Sequence, residues 1–199
     1  MKLTKKQLNV LTAAGHVLVT GGPGAGKTTV SILKAAQIAE HYLRPGQKIL
    51  FLSFARATVS RVVEAIEYEQ KIPPAQKRLI DVETYHSFFW RVLNAHGYLI
   101  GLPRRLSILT PSGEAIALSA VRSGFAARNL SDQQKAAKKA AEATERVRLA
   151  TVDGLVCFDL YAPYVGDILH GCERIRRLIA TMYPVIILDE FQDTNAPQW

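Results

Sequence analysis

The apolar positions of this chain change period several times along its length. HVLVT at 16–20 is a short apolar run ending in Gly21, the pattern of a buried strand feeding a turn. Behind it Ile32, Ala35, Ala36, Ala39 and Leu43 recur at helical spacing until Arg44-Pro45-Gly46 stops them. KILFLSF at 48–54 is continuously apolar and too short for a buried helix, which predicts a strand covered on both faces. Val59, Val62, Val63 and Ile66 predict another amphipathic helix. Pro73-Pro74 breaks the chain, IDVETY at 80–85 resumes as a strand, and Phe89, Val92 and Leu93 predict a third helix. Strands alternating with helices at this spacing predict an α/β fold, a parallel, doubly wound sheet with helices on both faces.

Between 103 and 156 the alternation stops and no strand is expected. Ala, Lys, Glu, Arg and Gln dominate 131–150, and Ser131-Asp132 offers an N-cap for an exposed, charged helix. Arg128, Lys135, Lys138, Lys139, Arg146 and Arg148 oppose Asp132, Glu142 and Glu145, a net charge of +3 that suits a solvated helix face as well as a nucleic-acid contact. The α/β pattern returns with an amphipathic stretch through Ile168, Ile175, Leu178 and Ile179. PVIIL at 184–188 follows as a last buried strand.

Composition narrows the class. A length of 199 residues suits one α/β domain carrying an insertion, and 48% hydrophobic with 21% charged residues excludes a disordered or fibrous chain. Lys and Arg number 25 against 17 Asp and Glu, giving a charge of +8 that favours a polyanionic partner. Cys157 and Cys172, without CxxC spacing or a paired His, indicate neither a disulfide framework nor a zinc site. The start is too polar for a signal peptide, and no run approaches the about 18 apolar residues of a membrane span. A cytoplasmic protein without a membrane partner is expected.

GGPGAGKTT at 21–29 fits G-x-x-x-x-G-K-[ST], with an apolar run before it and a helical pattern after it. Gly22, Gly24 and Gly26 let backbone N–H groups approach a triphosphate, and Ala25 and Thr29 complete the loop and first helical turn. Lys27 is positioned to reach the β and γ phosphates of ATP, and the Thr28 hydroxyl to ligate Mg²⁺. Such a loop needs a carboxylate to help hold the metal, and ligands of open parallel sheets gather at the carboxyl ends of the strands. Asp189, directly after VIIL, is the expected Mg²⁺ ligand. Glu190 is the expected base that orients and deprotonates the attacking water.

GGPGAGKT together with DEFQDTN resembles motifs I and II of the UvrD/Rep group of superfamily 1 helicases, DNA motor ATPases built from two RecA-like domains. Gln192, Asp193, Thr194 and Asn195 make the second motif specific, since they lie outside the generic acidic motif. LTKKQLNVL is similar to the group's Q-motif, which implies that Gln7 reads adenine. FLSFARA and VETYHSFFWRVL resemble its single-strand-contacting segments, which implies nucleic-acid roles for Phe54, Arg56, Tyr85 and His86. As residues alone, Phe54 and Tyr85 fit core aromatics equally well, and His86 fits a helix cap. CFDL at 157–160 resembles the segment that returns from an inserted helical subdomain. The chain departs from the group in lacking the Asn-Lys pair after Phe54, in carrying Thr29 where Arg is common, and in a short insertion.

The resemblance implies a RecA-like P-loop fold, with a first ATP-binding domain over 1–103 and 158–199 and a small helical insertion over 104–157. It implies a parent enzyme that uses ATP and Mg²⁺ to move 3′ to 5′ on single-stranded DNA and to unwind duplex at junctions. The group's sites are completed by a second RecA-like domain of the same polypeptide. Trp199 is therefore expected to be a boundary inside a longer chain, and these residues alone to bind Mg-ATP weakly without unwinding. A stand-alone nucleotide switch and a nucleic-acid-binding module with a vestigial nucleotide site are the alternatives.

Overall fold

A computed structural model describes residues 3–22, 24–70, 72–125 and 129–190. Gln192, Asp193, Thr194 and Asn195, and Arg128 of the charged segment, lie outside the described residues. Those up to Tyr85 and from Arg176 onward form one compact unit, and His86–Ile175 forms another.

The first unit is a parallel α/β sandwich. Helix α1 (Lys5–Thr12) precedes the glycine loop, and α2 (Lys27–His41) follows it. Strand β1 (Ile49–Ser53), helix α3 (Arg56–Tyr68), the single turn α4 (Pro74–Lys77) and strand β2 (Ile80–Thr84) come next. After the second unit the chain returns through the end of α10 (Glu173–Met182) to β5 (Val185–Leu188). The strand order is β2-β1-β5, all parallel, with Ser53 beside Thr84 and Leu52 beside Leu188. As its unbroken apolar run predicted, β1 is buried along its whole length. Ile49 and Phe51 meet Ile32, Ala35, Ala36 and Ala39 of α2 and Val62 and Ile66 of α3 in one core. The alanine stripe keeps α2 close to the sheet, and the larger branched residues fill the space between.

The amino-terminal side of this sheet is held by polar bonds. Lys48 Nζ lies 2.8 Å from Asp81 Oδ1, and the Tyr183 hydroxyl donates to Asp81 Oδ2 at 2.8 Å. Gln47 Nε2 donates to the Thr181 carbonyl at 3.0 Å, and the Lys48 amide to the Met182 carbonyl at 2.8 Å.

Two expectations for this unit are corrected. HVLVT forms no strand: among the described residues it pairs with no ladder, and Val17 and Leu18 are exposed. An apolar run records strand propensity, whereas a strand needs a partner for its backbone, which the run itself does not encode. β5 does form, but alternates in burial along VIIL instead of being covered throughout. It lies at the end of the described strand order, where Val185 and Ile187 pack on the core while Ile186 and Leu188 face outward.

The second unit contains α5 (Tyr85–His96) beyond its first residue, β3 (Ser107–Leu109), α6 (Pro111–Ala117), α7 (Ser119–Ser123), α8 (Asp132–Val152), β4 (Leu155–Cys157), α9 (Tyr161–Gly171) and the start of α10. It thus takes in the 104–157 stretch together with flanking helices. The expectation of no strand within 103–156 is corrected, because β3 and β4 pair in parallel, Leu109 beside Cys157. Strands of three residues are too short to show a period. α8 starts as predicted: the Ser131 hydroxyl accepts the Gln134 amide, and Gln134 Oε1 accepts the Ser131 amide, a reciprocal capping box.

Much of the charge on α8 is used within the unit. Arg146 pairs with Glu114 of α6 at 2.6 Å, Arg122 of α7 with Glu142 at 2.9 Å, and Arg148 with Glu145 at 2.8 Å. The bond from Arg122 is the main reason the Glu142 carboxyl titrates below its ordinary range.

Gly154, just past α8, has φ +69, and a Cβ there would sit 2.5 Å from the Arg105 carbonyl oxygen. Both the left-handed backbone and the close approach demand glycine. Gly154→Ala is expected to cost about 1–3 kcal/mol, read as a lower urea midpoint.

Candidate functional site

Parallel strands deliver their next residues to one edge. Phe54 follows β1, Tyr85 follows β2 and Asp189 follows β5, so the register of the three strands brings them to the carboxyl edge together. The ladder extends one step further there, with the Asp189 amide donating to the Leu52 carbonyl at 2.9 Å. Phe54 and Tyr85 stack at 4.5 Å between ring centres and 27° between planes. Tyr85 is buried, and burial followed by the charge of Asp189 pushes its hydroxyl pKa up to about 12.

Burial also holds the Asp189 carboxyl above the ordinary carboxylate range, and neighbouring Glu190 adds to the rise. The Glu190 backbone N–H and the charge of Lys27 oppose it. Lys27 therefore acts electrostatically on the same carboxylate that ends β5. Glu190 has φ 52, rare for a residue with a side chain, and its amide donates to Asp189 Oδ1 at 3.1 Å. A left-handed non-glycine residue costs about 1 kcal/mol or more, and such strain concentrates where side chains must be aimed.

The glycine loop is shaped for an anion. Gly24 and Gly26 adopt φ +73 and +78, while Gly22 does not enter the left-handed region. Gly26 is the N-cap of α2, with no side chain capping the helix and no acidic residue in its first turn. The backbone N–H groups of that turn and the positive end of the helix dipole thus meet no carboxylate from the first turn. Lys27 folds back over the loop, donating to the Gly21 carbonyl at 2.8 Å and the Gly22 carbonyl at 3.3 Å. Thr28 and Thr29 follow it, half-buried, in that turn, and Ala25 is exposed just before it. Gln7 reaches this loop from α1, its Nε2 donating to the Ala25 carbonyl at 3.2 Å. Gln7 and the glycine loop are thereby brought together.

Among the described residues no group of three or more His, Cys, Asp or Glu side chains is built to hold a metal by itself. Mg²⁺ keeps several waters and takes one or two protein ligands beside substrate phosphates. Thr28 and Asp189 fit that donor set.

Of the remaining predicted residues, Arg56 is exposed at the start of α3. His86, in the second unit, is exposed and meets Phe158 edge-on at 5.5 Å and Tyr161 at 6.3 Å. Trp90 stacks on Tyr161 at 5.3 Å. Neither Trp90 nor Tyr161 stood out in the sequence, because the two partners lie some seventy positions apart. Lys34 was missed as well, and its Nζ donates to the Leu11 and Ala13 carbonyls at 2.6 and 2.7 Å. A signal existed for Lys34: two helical turns after Lys27, it shares that residue's face of α2.

Residues 3–153 match the family described as the UvrD/REP helicase N-terminal domain. The chain is similar to YjcD of Bacillus subtilis, 34% identical over 46% of this chain and 12% of that protein. It is also similar to an ATP-dependent helicase/nuclease component of Exiguobacterium sibiricum, 31% identical over 50% of this chain and 10% of the relative. The ATP-dependent DNA helicase PcrA of Staphylococcus aureus is 26% identical over 56% of this chain and 15% of its own length. The matched region thus spans 10–15% of the length of these relatives. No helix among the described residues is long and apolar enough to cross a membrane.

Proposed function

The chain belongs to the UvrD/REP helicase N-terminal domain family, and on that premise we propose that it is the ATP-binding N-terminal part of a 3′ to 5′ DNA helicase. The observation that carries this reading is the uncapped, glycine-rich start of α2, with Lys27 folded onto its loop carbonyls, in the unit whose parallel sheet presents Asp189 at its carboxyl edge. Relatives named as ATP-dependent helicases support the same nucleotide.

In this reading Gly22, Gly24, Ala25, Gly26 and the first-turn amides of Lys27, Thr28 and Thr29 wrap the triphosphate. Lys27 exchanges its two loop carbonyls for β and γ phosphate oxygens. The Thr28 hydroxyl and Asp189 would hold Mg²⁺, which would supply charge neutralisation on the phosphates. Glu190, beside Asp189 on a left-handed backbone, orients the attacking water and accepts its proton. Gln7, held beside the loop, presents its side-chain amide to the adenine edge.

Phe54 and Arg56, with Tyr85 beneath Phe54, offer a stacking and phosphate-contacting surface to single-stranded DNA, and His86 offers an exposed imidazole. We read 1–103 and 158–199 as the RecA-like domain and 104–157 as its insertion, with a cytoplasmic setting. Its partners are single strands, duplex junctions and a second RecA-like domain.

Stabilising the charge that develops on the γ phosphate is a large part of the rate in such enzymes, and family sites recruit groups from the second domain for it. These 199 residues alone are expected to bind Mg-ATP weakly, with negligible hydrolysis and no unwinding. A turnover assay with and without single-stranded DNA checks this. Hydrolysis stimulated by the nucleic acid would overturn it.

A further inference from the structure

We infer that Lys34 is a positioning residue for the nucleotide base, holding α1 by its carboxyl end so that Gln7 stays against the phosphate loop. The inference deepens the nucleotide reading above and rests on it. Helix α1 is eight residues long, and none of them is buried. An isolated helix of that length is marginal in water, and little apolar burial fixes this one in place. Half-buried Val10 and Leu11 add some packing, and polar attachments at its two ends hold it further.

At the amino end, Thr4 and Gln7 form a capping box: the Thr4 hydroxyl accepts the Gln7 amide at 3.3 Å, and Gln7 Oε1 accepts the Thr4 amide at 2.9 Å. The remaining Gln7 donor, Nε2, reaches the Ala25 carbonyl. It lies so close that a Cβ on Gly26 would sit 3.0 Å from it. At the carboxyl end, the Lys34 ammonium takes the carbonyls of Leu11, in the last turn, and Ala13, the C-cap. Those carbonyls lack partners within the helix, and a cation there also meets the negative end of the helix dipole.

α2 thus grips α1 with a half-buried lysine, while Gln7 touches the loop that opens α2. Both attachments refer α1 to the same helix. Losing Lys34 frees one end of a short exposed helix, and the side chain displaced is Gln7, which serves the base. The turn that opens α2, two helical turns before Lys34, is left intact.

The test is calorimetric titration of the chain with Mg-ATP and with inorganic tripolyphosphate, which lacks a base. Lys34→Met is expected to lose roughly tenfold in ATP affinity, the scale of a charged hydrogen bond, and less than about twofold for tripolyphosphate. Lys34→Arg is expected to restore ATP binding. Without nucleotide, amides of α1 should exchange faster in Lys34→Met than in the parent chain. Equal losses for both ligands, no loss for either, or unchanged α1 exchange would overturn the inference. Lys27→Ala separates the two levels. If it weakens both ligands while Lys34→Met weakens neither, the positioning role alone has failed. If it weakens neither, the nucleotide reading has failed and takes the role of Lys34 with it.

Discussion

Lys27→Ala is expected to weaken Mg-ATP binding by about 10- to 100-fold, the worth of a charge-assisted bond to phosphate. The lysine is not idle without nucleotide, since its ammonium lies on the Gly21 and Gly22 carbonyls. Binding therefore exchanges two neutral acceptors for charged ones, and only the difference appears as affinity. The same substitution removes a positive charge that acts on Asp189, so the carboxyl should rise further and share a metal less readily. The loop is exposed, and folding stability should hardly change. Titration with a fluorescent ATP analogue measures the effect, and equal affinities would remove the assignment of this loop.

The largest effect on stability is expected at Phe51. Its ring is fully buried in the middle of β1, beside Val82 on β2 and Ile187 on β5, in the core that faces α2 and α3. Truncation leaves a cavity that neighbours on three strands and two helices cannot close together. Phe51→Ala should cost about 3–5 kcal/mol, a large share of the roughly 5–15 kcal/mol that stabilises a domain. Urea unfolding followed by far-UV circular dichroism reads it directly. A loss below about 1 kcal/mol would mean that this core is far less closely packed than described.

How much was legible in the sequence follows from how local each signal is. α2, β1, α3 and β2 carry their own periodicity, and they form close to the expected positions. The glycine loop is one contiguous stretch whose chemistry depends on its own backbone, so it was readable as such. Asp189 was readable because a strand end is a place, and parallel strands share an edge. HVLVT and the outer face of β5 were misjudged because burial is settled by neighbours that the run does not name. β3 and β4 recognise each other across almost fifty residues with three positions apiece. Lys34, and the aromatic group around His86, depend on contacts between distant segments in the same way.

The polar ties around Asp81 give the first unit a division that its topology makes inevitable. Lys48, Tyr183 and Gln47 bind at the end of the sheet where strands begin, whereas Asp189, Tyr85 and Phe54 lie where strands finish. Fastening and the proposed chemistry thus lie at opposite ends of the same strands. Changes at Asp81 are expected to act on stability, and changes at the finishing edge on the proposed nucleotide chemistry. The two sets of positions are therefore separable, and a substitution in one need not disturb the other.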